Sequence, residues 1–320
     1  ALMVVRINMA YSPVIKKKKV IAKYQIGAVH PDGCVAEKIG GGGVNVNYRI
    51  TCGGKDMLVL AGKDISVGQN GELVPMYGDA EPVYVPYSDA LAKNEVIDAG
   101  RDYIKSQIAK AEEELRTQRV YSRATPGKLV ADVFDGEILF RLSIIEHIDH
   151  EEFIANGVEY SVKKVLTQFG LNREDTFKYA VSHAGALCLM QIMPSTYAGI
   201  RKQYPEAKLP VSAKECSCGS HVGAIKAAYL VLDSKLGAMP DDFKRKFPDN
   251  AETYGIYLAA AYNGGQARAT SLYRKSGRAS FVLGEFIGNL FARFGLRKDR
   301  EDLRVLRKET WIFIKKYSEV

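Results

Sequence analysis

Residues able to do chemistry concentrate in three places along the chain. The first is Phe140-Arg141-Leu142-Ser143-Ile144-Ile145-Glu146, where Glu146 stands four residues after Leu142 and seven after Leu139. At helical spacing this puts a carboxyl on an apolar stripe. Desolvation there raises a carboxyl pKa, so the group stays protonated near neutral pH and can serve as a general acid. Glu151 and Glu152 are the alternatives, but they adjoin each other and Asp149, a pattern more typical of an exposed turn. The second place is Gly185-Ala186-Leu187-Cys188-Leu189-Met190-Gln191-Ile192-Met193-Pro194-Ser195-Thr196. Small and apolar residues surround a single amide, which suits a buried groove wall with Gln191 as its polar contact. The third is Ala260-Ala261-Tyr262-Asn263-Gly264-Gly265, a phenol and an amide set between small residues and two glycines. Taken singly, Met190 reads equally as core, Asn263-Gly264-Gly265 as a turn and Ser182 as a helix cap.

In this order the segments resemble the lytic transglycosylases of the goose-type-lysozyme-like superfamily. Their pattern reads roughly Ser-x-x-Gly-Ala-x-Gly-Leu-Met-Gln-aliphatic-Met-Pro-x-Thr, then Ala-Tyr-Asn-x-Gly. The resemblance implies a lysozyme-like fold that cleaves the β-1,4 bond between N-acetylmuramic acid and N-acetylglucosamine in peptidoglycan. It implies Glu146 as the acid, and Ser182, Met190, Gln191, Tyr262 and Asn263 as the substrate-binding residues. It calls for no cofactor and no metal. With no second well-placed carboxylate, the implied route has the substrate's N-acetyl group assist. Glu146 then turns base while the 6-hydroxyl closes a 1,6-anhydro ring. The rivals are a hydrolase on the same fold and a peptidoglycan-binding protein with a degraded site.

This chain departs from the family pattern in places. His147 stands where a Ser usually follows the acid, and Cys188 replaces a Gly. Glu309-Thr310-Trp311-Ile312-Phe313 resembles a closing Glu-Thr-x-x-Tyr, with Phe313 for the tyrosine. The stretch between Glu146 and Gly185 is longer than usual and predicts an inserted helix or lobe. Restoring Gly at position 188 is expected to be tolerated or mildly activating.

The elements that must position these residues follow from periodicity. Between positions 20 and 87, β-branched and polar residues alternate, as in Val44-Asn45-Val46-Asn47-Tyr48-Arg49-Ile50, with turn signals at Gly53-Gly54 and Asn70-Gly71. This predicts a small antiparallel β domain over residues 1–88, of unknown partner. Ala90, Ala92, Ile97, Ile104, Ile108 and Leu115 then recur at near-helical spacing, predicting a connector helix within 89–128. Residues 129–320 read as mainly helical, with stripes at Ile138, Leu139, Leu142 and Ile145, and at Val222, Ile225, Tyr229, Leu232 and Leu236. Further helical material is expected within 281–294 and 303–317. The fold class expected is α+β: an N-terminal small antiparallel β domain, a long connector helix and a C-terminal mainly α lysozyme-like domain. By itself, 129–320 is expected to carry the motifs and to fold.

Length and composition set bounds on partners and place. The chain has 320 residues, 47% hydrophobic and 26% charged, with a net charge of +8. That balance suits a globular protein with an anionic partner. Basic residues are spread along the chain without a nucleic-acid signature, so peptidoglycan glycan strands are the expected partner and nucleic acid is not. No apolar run is long enough to span a bilayer, and no signal peptide is visible. The expected place is the cell envelope, periplasmic or secreted, or a virion. Of five cysteines, Cys34 and Cys52 flank a strand-like segment and could bridge in an oxidising compartment. Cys216 and Cys218 with His221 read as loop thiols, a local bridge or half a zinc site lacking a fourth ligand. His147 and His150 with Asp149 read as surface groups rather than a metal group.

Overall fold

The computed structural model describes residues 6–16, 19–29, 33–40, 47–57, 65–67, 73–75, 87, 89–178, 180–182, 184–247, 251–276 and 320. The helices expected within 281–294 and 303–317, and the 309–313 segment, lie outside the described residues. So does the Asn70-Gly71 turn.

The N-terminal part is built of short antiparallel hairpins. Strand β1 (Arg6–Lys16) pairs with β2 (Lys19–Val29). Strands β3 (Cys34–Gly40), β4 (Asn47–Cys52) and β5 (Lys55–Met57) form a meander, and β6 (Ile65–Val67) pairs with β7 (Leu73–Pro75). Gly53 and Gly54 join β4 to β5 with φ of 55° and 75°. A two-residue hairpin turn with both φ positive matches strand twist, and glycine adopts it without steric cost. Cys34 lies opposite Cys52 in the register, and the two form a disulfide across the hairpin.

From Tyr87 onward the described residues are mainly helical, and the class is α+β as the periodicity implies. Helix α1 (Asn94–Thr117) buries Gly100, Ile104, Ile108, Ala111 and Leu115, one face at steps of three and four. That face packs on α2 (Gly136–Ile145), α3 (His150–Asn172) and α6 (His221–Gly237). Ile104, Ala111 and Leu115 are fully buried in the same core as Leu139, Phe169 and Leu230. The crossing of α1 with α3 depends on two glycines. A Cβ on Gly100 would sit 1.9 Å from the Leu166 carbonyl oxygen, and one on Gly170 2.1 Å from that of Val96. Backbone meets backbone there, so no side chain fits.

The long stretch between the first and second motifs is filled by α3, which breaks at Gly157 (φ 80°, ψ −178°). Helix α6 runs through the middle of the domain and is buried on nearly every side. Its one buried carboxyl, Asp233, accepts from Ser122 Oγ (2.5 Å), Arg123 N (2.6 Å) and Tyr204 Oη (2.7 Å), which ties the 121–128 loop to the core. Helices α4 (Pro194–Gln203), α5 (Ala213–Gly219) and α8 (Ala251–Gly264) pack on α6, α9 (Gln266–Ser276) packs on α8, and the short α7 (Asp241–Lys246) precedes α8.

His221 opens α6 and is 5% exposed. Its Nε2 faces the Thr176 carbonyl oxygen and its Nδ1 the Tyr103 hydroxyl, each at 2.9 Å. A carbonyl only accepts, so the proton is on Nε2, and Nδ1 accepts from Tyr103. Burial lowers the His221 pKa, with the Thr176 carbonyl opposing it more weakly. The folded state therefore holds fewer protons than the unfolded chain, whose histidine titrates near 6.5. Stability from this site is complete above about pH 6.5 and is lost as the pH falls through the folded pKa. Denaturant unfolding at pH 7 and pH 5 should show this acid loss in the wild type, and a smaller one in His221→Gln, which cannot take up the proton.

Candidate active site

Helix α2 is a short apolar rod that delivers Glu146. Asp135 caps its start, accepting from the Glu137 N–H at 2.9 Å. Ile138, Leu139, Phe140, Leu142, Ile144 and Ile145 are all buried. Glu146 is the C-cap residue, still helical, with its N–H on the Leu142 carbonyl at 3.2 Å. It is half-buried at the edge of this apolar stripe. The neighbouring acids have other work. Asp149 Oδ1 accepts the Glu152 N–H at 3.0 Å, and the Glu152 carboxylate takes the buried Lys164 ammonium at 2.8 and 2.7 Å.

The second motif folds as two linked turns spanning 180–192. Ser182 and Ala186 close the first, with Ser182 N on the Ala186 carbonyl (3.0 Å) and Ser182 Oγ accepting the Ala186 N–H (2.9 Å). Gly185, at φ 94°, makes that reversal possible. Leu187 then bridges to Ile192, and the four residues between them form the second turn. Cys188 is its hub. Its N–H donates to the Ala180 carbonyl (2.6 Å), and its own carbonyl accepts both the Gln191 N–H (3.2 Å) and Gln191 Nε2 (2.7 Å). The Gln191 amide nitrogen is therefore directed into its own turn.

Cys188 and Gln191 both have left-handed backbones, at φ 51° and 45°. Position 188 is where the family pattern has Gly, and the positive φ explains that preference. The Leu189 and Met190 side chains are fully buried. Met190 lies in the core, and its carbonyl oxygen accepts from the third motif.

That third motif is the last turn of α8. Tyr262 Oη donates to the Met190 carbonyl at 2.7 Å. Burial, and then the Glu146 carboxylate, push its phenol well above the usual range, so it remains a donor. Asn263, next along, is exposed. Gly265, at φ 87°, ends the helix with its N–H on the Ala261 carbonyl at 3.2 Å. Glu146, the 187–192 turn and Tyr262 thus converge, with Asn263 at the rim of α8.

Cys188 is not simply a bulky residue in the groove. It forms a disulfide with Cys218 of α5, Cα to Cα 5.2 Å and 30 residues apart. Cys218 is thereby taken, and both nitrogens of His221 are occupied as described above, so the half zinc site gives way to a long-range bridge. Among the described residues, Cys216 is a buried free thiol, and burial raises its pKa.

The bridge also corrects the expectation for Cys188→Gly. Closing a loop of this length stabilises by about 3–4 kcal/mol through the unfolded chain, against about 1–2 kcal/mol recovered by placing Gly at a left-handed position. Cys188→Gly should therefore lower the melting temperature. Cys218→Ser, which loses the bridge and keeps the left-handed cysteine, should lower it further. A Cys218→Ser melting temperature equal to the wild type, with Cys188→Gly above both, would show that the bridge adds nothing.

Residues 173–281 match the family model of the Transglycosylase SLT domain. The similarity to that domain covers this stretch, which is less than half of the chain. No curated protein matches the chain, and no solved structure does. The SLT match takes in both turns of 180–192, helices α4 to α9 and the Tyr262-Asn263 pair. It begins at Arg173, beyond α2, so the place of Glu146 rests on packing and not on the match. An SLT domain implies peptidoglycan-cleaving activity of the lytic transglycosylase type in general, and with it an envelope or extracellular site of action. No helix among the described residues is long and apolar enough to cross a membrane.

Three features of the site were not legible in the motifs. These are the partner of Cys188, the inward turn of the Gln191 amide, and the contact of His147 with the turn. All three are contacts between distant segments, which local spacing does not encode.

Proposed function

We propose that this protein is a peptidoglycan lytic transglycosylase that cleaves the MurNAc-β-1,4-GlcNAc bond and leaves 1,6-anhydroMurNAc ends. Glu146 protonates the leaving oxygen, and then takes the proton of the 6-hydroxyl as the anhydro ring closes. One observation carries this reading. Glu146 ends an apolar helix, the next residue's Nε2 lies on the Leu189 carbonyl, and the Tyr262 phenol holds the adjacent Met190 carbonyl, both carbonyls inside the SLT match. An acid is thereby associated with the two turns and the Tyr-Asn pair on which the family resemblance rests.

Ser182, Met190, Gln191, Tyr262 and Asn263 form the substrate-binding set in this proposal. Asn263 is exposed and free to reach the N-acetyl group of a sugar. Met190 and Tyr262 act mainly by shaping the wall, and Ser182 by closing the first turn. No cofactor takes part.

Digestion of purified peptidoglycan with mass analysis of the products tests the reading. Anhydromuramyl ends are expected. Reducing muramyl ends would mean that water completes the reaction, making the protein a hydrolase, and binding without turnover would make the site a degraded one.

A further inference from the structure

His147 follows the candidate acid directly, at the position where the family pattern has Ser, and the resemblance gives it no task. It is 7% exposed. Its N–H continues the end of α2, on the Ile144 carbonyl at 3.0 Å. Its Nε2 lies 2.7 Å from the Leu189 carbonyl oxygen. Carbonyl oxygen has no proton to give, so Nε2 carries the hydrogen and donates.

The imidazole lies flat on Phe177, with centroids 3.5 Å apart and planes 4° apart. Phe177 is itself fully buried and meets Phe169 of α3 edge-on at 5.4 Å. The ring is thus fixed from one side by the aromatic core and at its tip by the turn. A serine side chain is too short to span that gap.

The neighbouring carbonyl, Met190, is the one held by Tyr262. Two consecutive carbonyls of the 187–192 turn are therefore gripped, one by the residue next to Glu146 in sequence and one by the Tyr262 phenol. The lever from His147 to the acid is a single peptide unit.

We propose that His147 is a positioning residue for this site: by donating from Nε2 to the Leu189 carbonyl it sets the groove turn against Glu146, and so governs turnover. The inference rests on the reading of Glu146 as the acid. Misplacing a reacting group by about an ångström can cost a hundredfold in rate, which makes a single buried hydrogen bond at this place kinetically visible.

Two substitutions separate the donor from the ring. His147→Phe keeps a flat ring for Phe177 but has no donor, and His147→Gln keeps an N–H donor of similar reach without the ring. With the full chain acting on purified peptidoglycan, the Phe variant should lose on the order of ten- to a hundredfold in kcat with KM little changed. The Gln variant should recover most of that loss. Amide hydrogen exchange over 187–191 should quicken in the Phe variant and stay slow in the Gln variant.

A Phe variant with wild-type kcat, or a Gln variant as slow as the Phe variant, would overturn the proposal. A Phe variant that fails to fold leaves the decision to Gln: near-wild-type kcat with a protected turn supports the donor role, and a loss beyond about tenfold refutes it. A wild type that releases no cleavage products fails differently, since it removes the reading of Glu146 and the positioning role with it.

Discussion

Glu146→Gln should abolish peptidoglycan cleavage and leave the fold and sugar binding intact. Amide and carboxylic acid are nearly the same size, so the half-buried end of α2 has the same volume to fill. The amide cannot hand a proton to a leaving oxygen or take one back, and acid–base catalysis by a placed side chain is worth on the order of a hundredfold to ten-thousandfold. The melting temperature should move little, because a neutral amide at the edge of an apolar stripe avoids the cost of desolvating a charge. Mass analysis of a digest checks this: products in the wild type and none in the variant. Full activity in the variant would remove Glu146 from the mechanism. Attention would then turn to Glu151 and to Glu152, which would first have to be released from Lys164.

A chain beginning at residue 129 should fail to fold, whereas one beginning at residue 87 should fold and retain cleavage. The difference between them is α1. Its removal strips Ile104, Ile108 and Leu115 from the core, each contributing about 2 kcal/mol by burial. It also uncovers the faces of α2, α3 and α6 that pack on it, and the sum approaches the whole stability of an ordinary domain. Tyr87 belongs with the longer form, since it is buried, packs edge-on against Tyr160 of α3 at 6.2 Å and donates to Asp89 at 2.7 Å. Soluble expression, circular dichroism and release of wall fragments decide the matter. A soluble, active 129–320 fragment would show that α1 is dispensable. An inactive but folded 87–320 fragment would show that the β region shapes the groove. The functional boundary proposed is therefore just before Tyr87, with α1 on the enzyme side of it.

Much of this protein is legible from its residues in order. The step of three and four in Ile104, Ile108, Ala111 and Leu115 determines a helix with one apolar face, and the stripe from Ile138 to Ile145 determines another that ends at a carboxyl. Gly53-Gly54 determines a hairpin because few other residues adopt two positive φ angles in succession. The Gly185 and Tyr262 motifs were sufficient to point to the SLT family, because their chemistry is local and ordered. What the apolar face of α1 packs against was not encoded in its period. A stripe states that a face will be buried but not by which partner.

The tertiary structure alone decided four things. It joined Cys188 to Cys218 across 30 residues, turned the Gln191 amide onto the Cys188 carbonyl, buried the Met190 side chain, and placed His147 between Phe177 and the Leu189 carbonyl. Each depends on where the ends of separate helices arrive once the core has packed. Side-chain type and spacing specify which groups are able to bond. The close packing of α1, α3 and α6 then fixes which of them come within bonding distance, because a hydrogen bond or disulfide tolerates an error of only a few tenths of an ångström to an ångström.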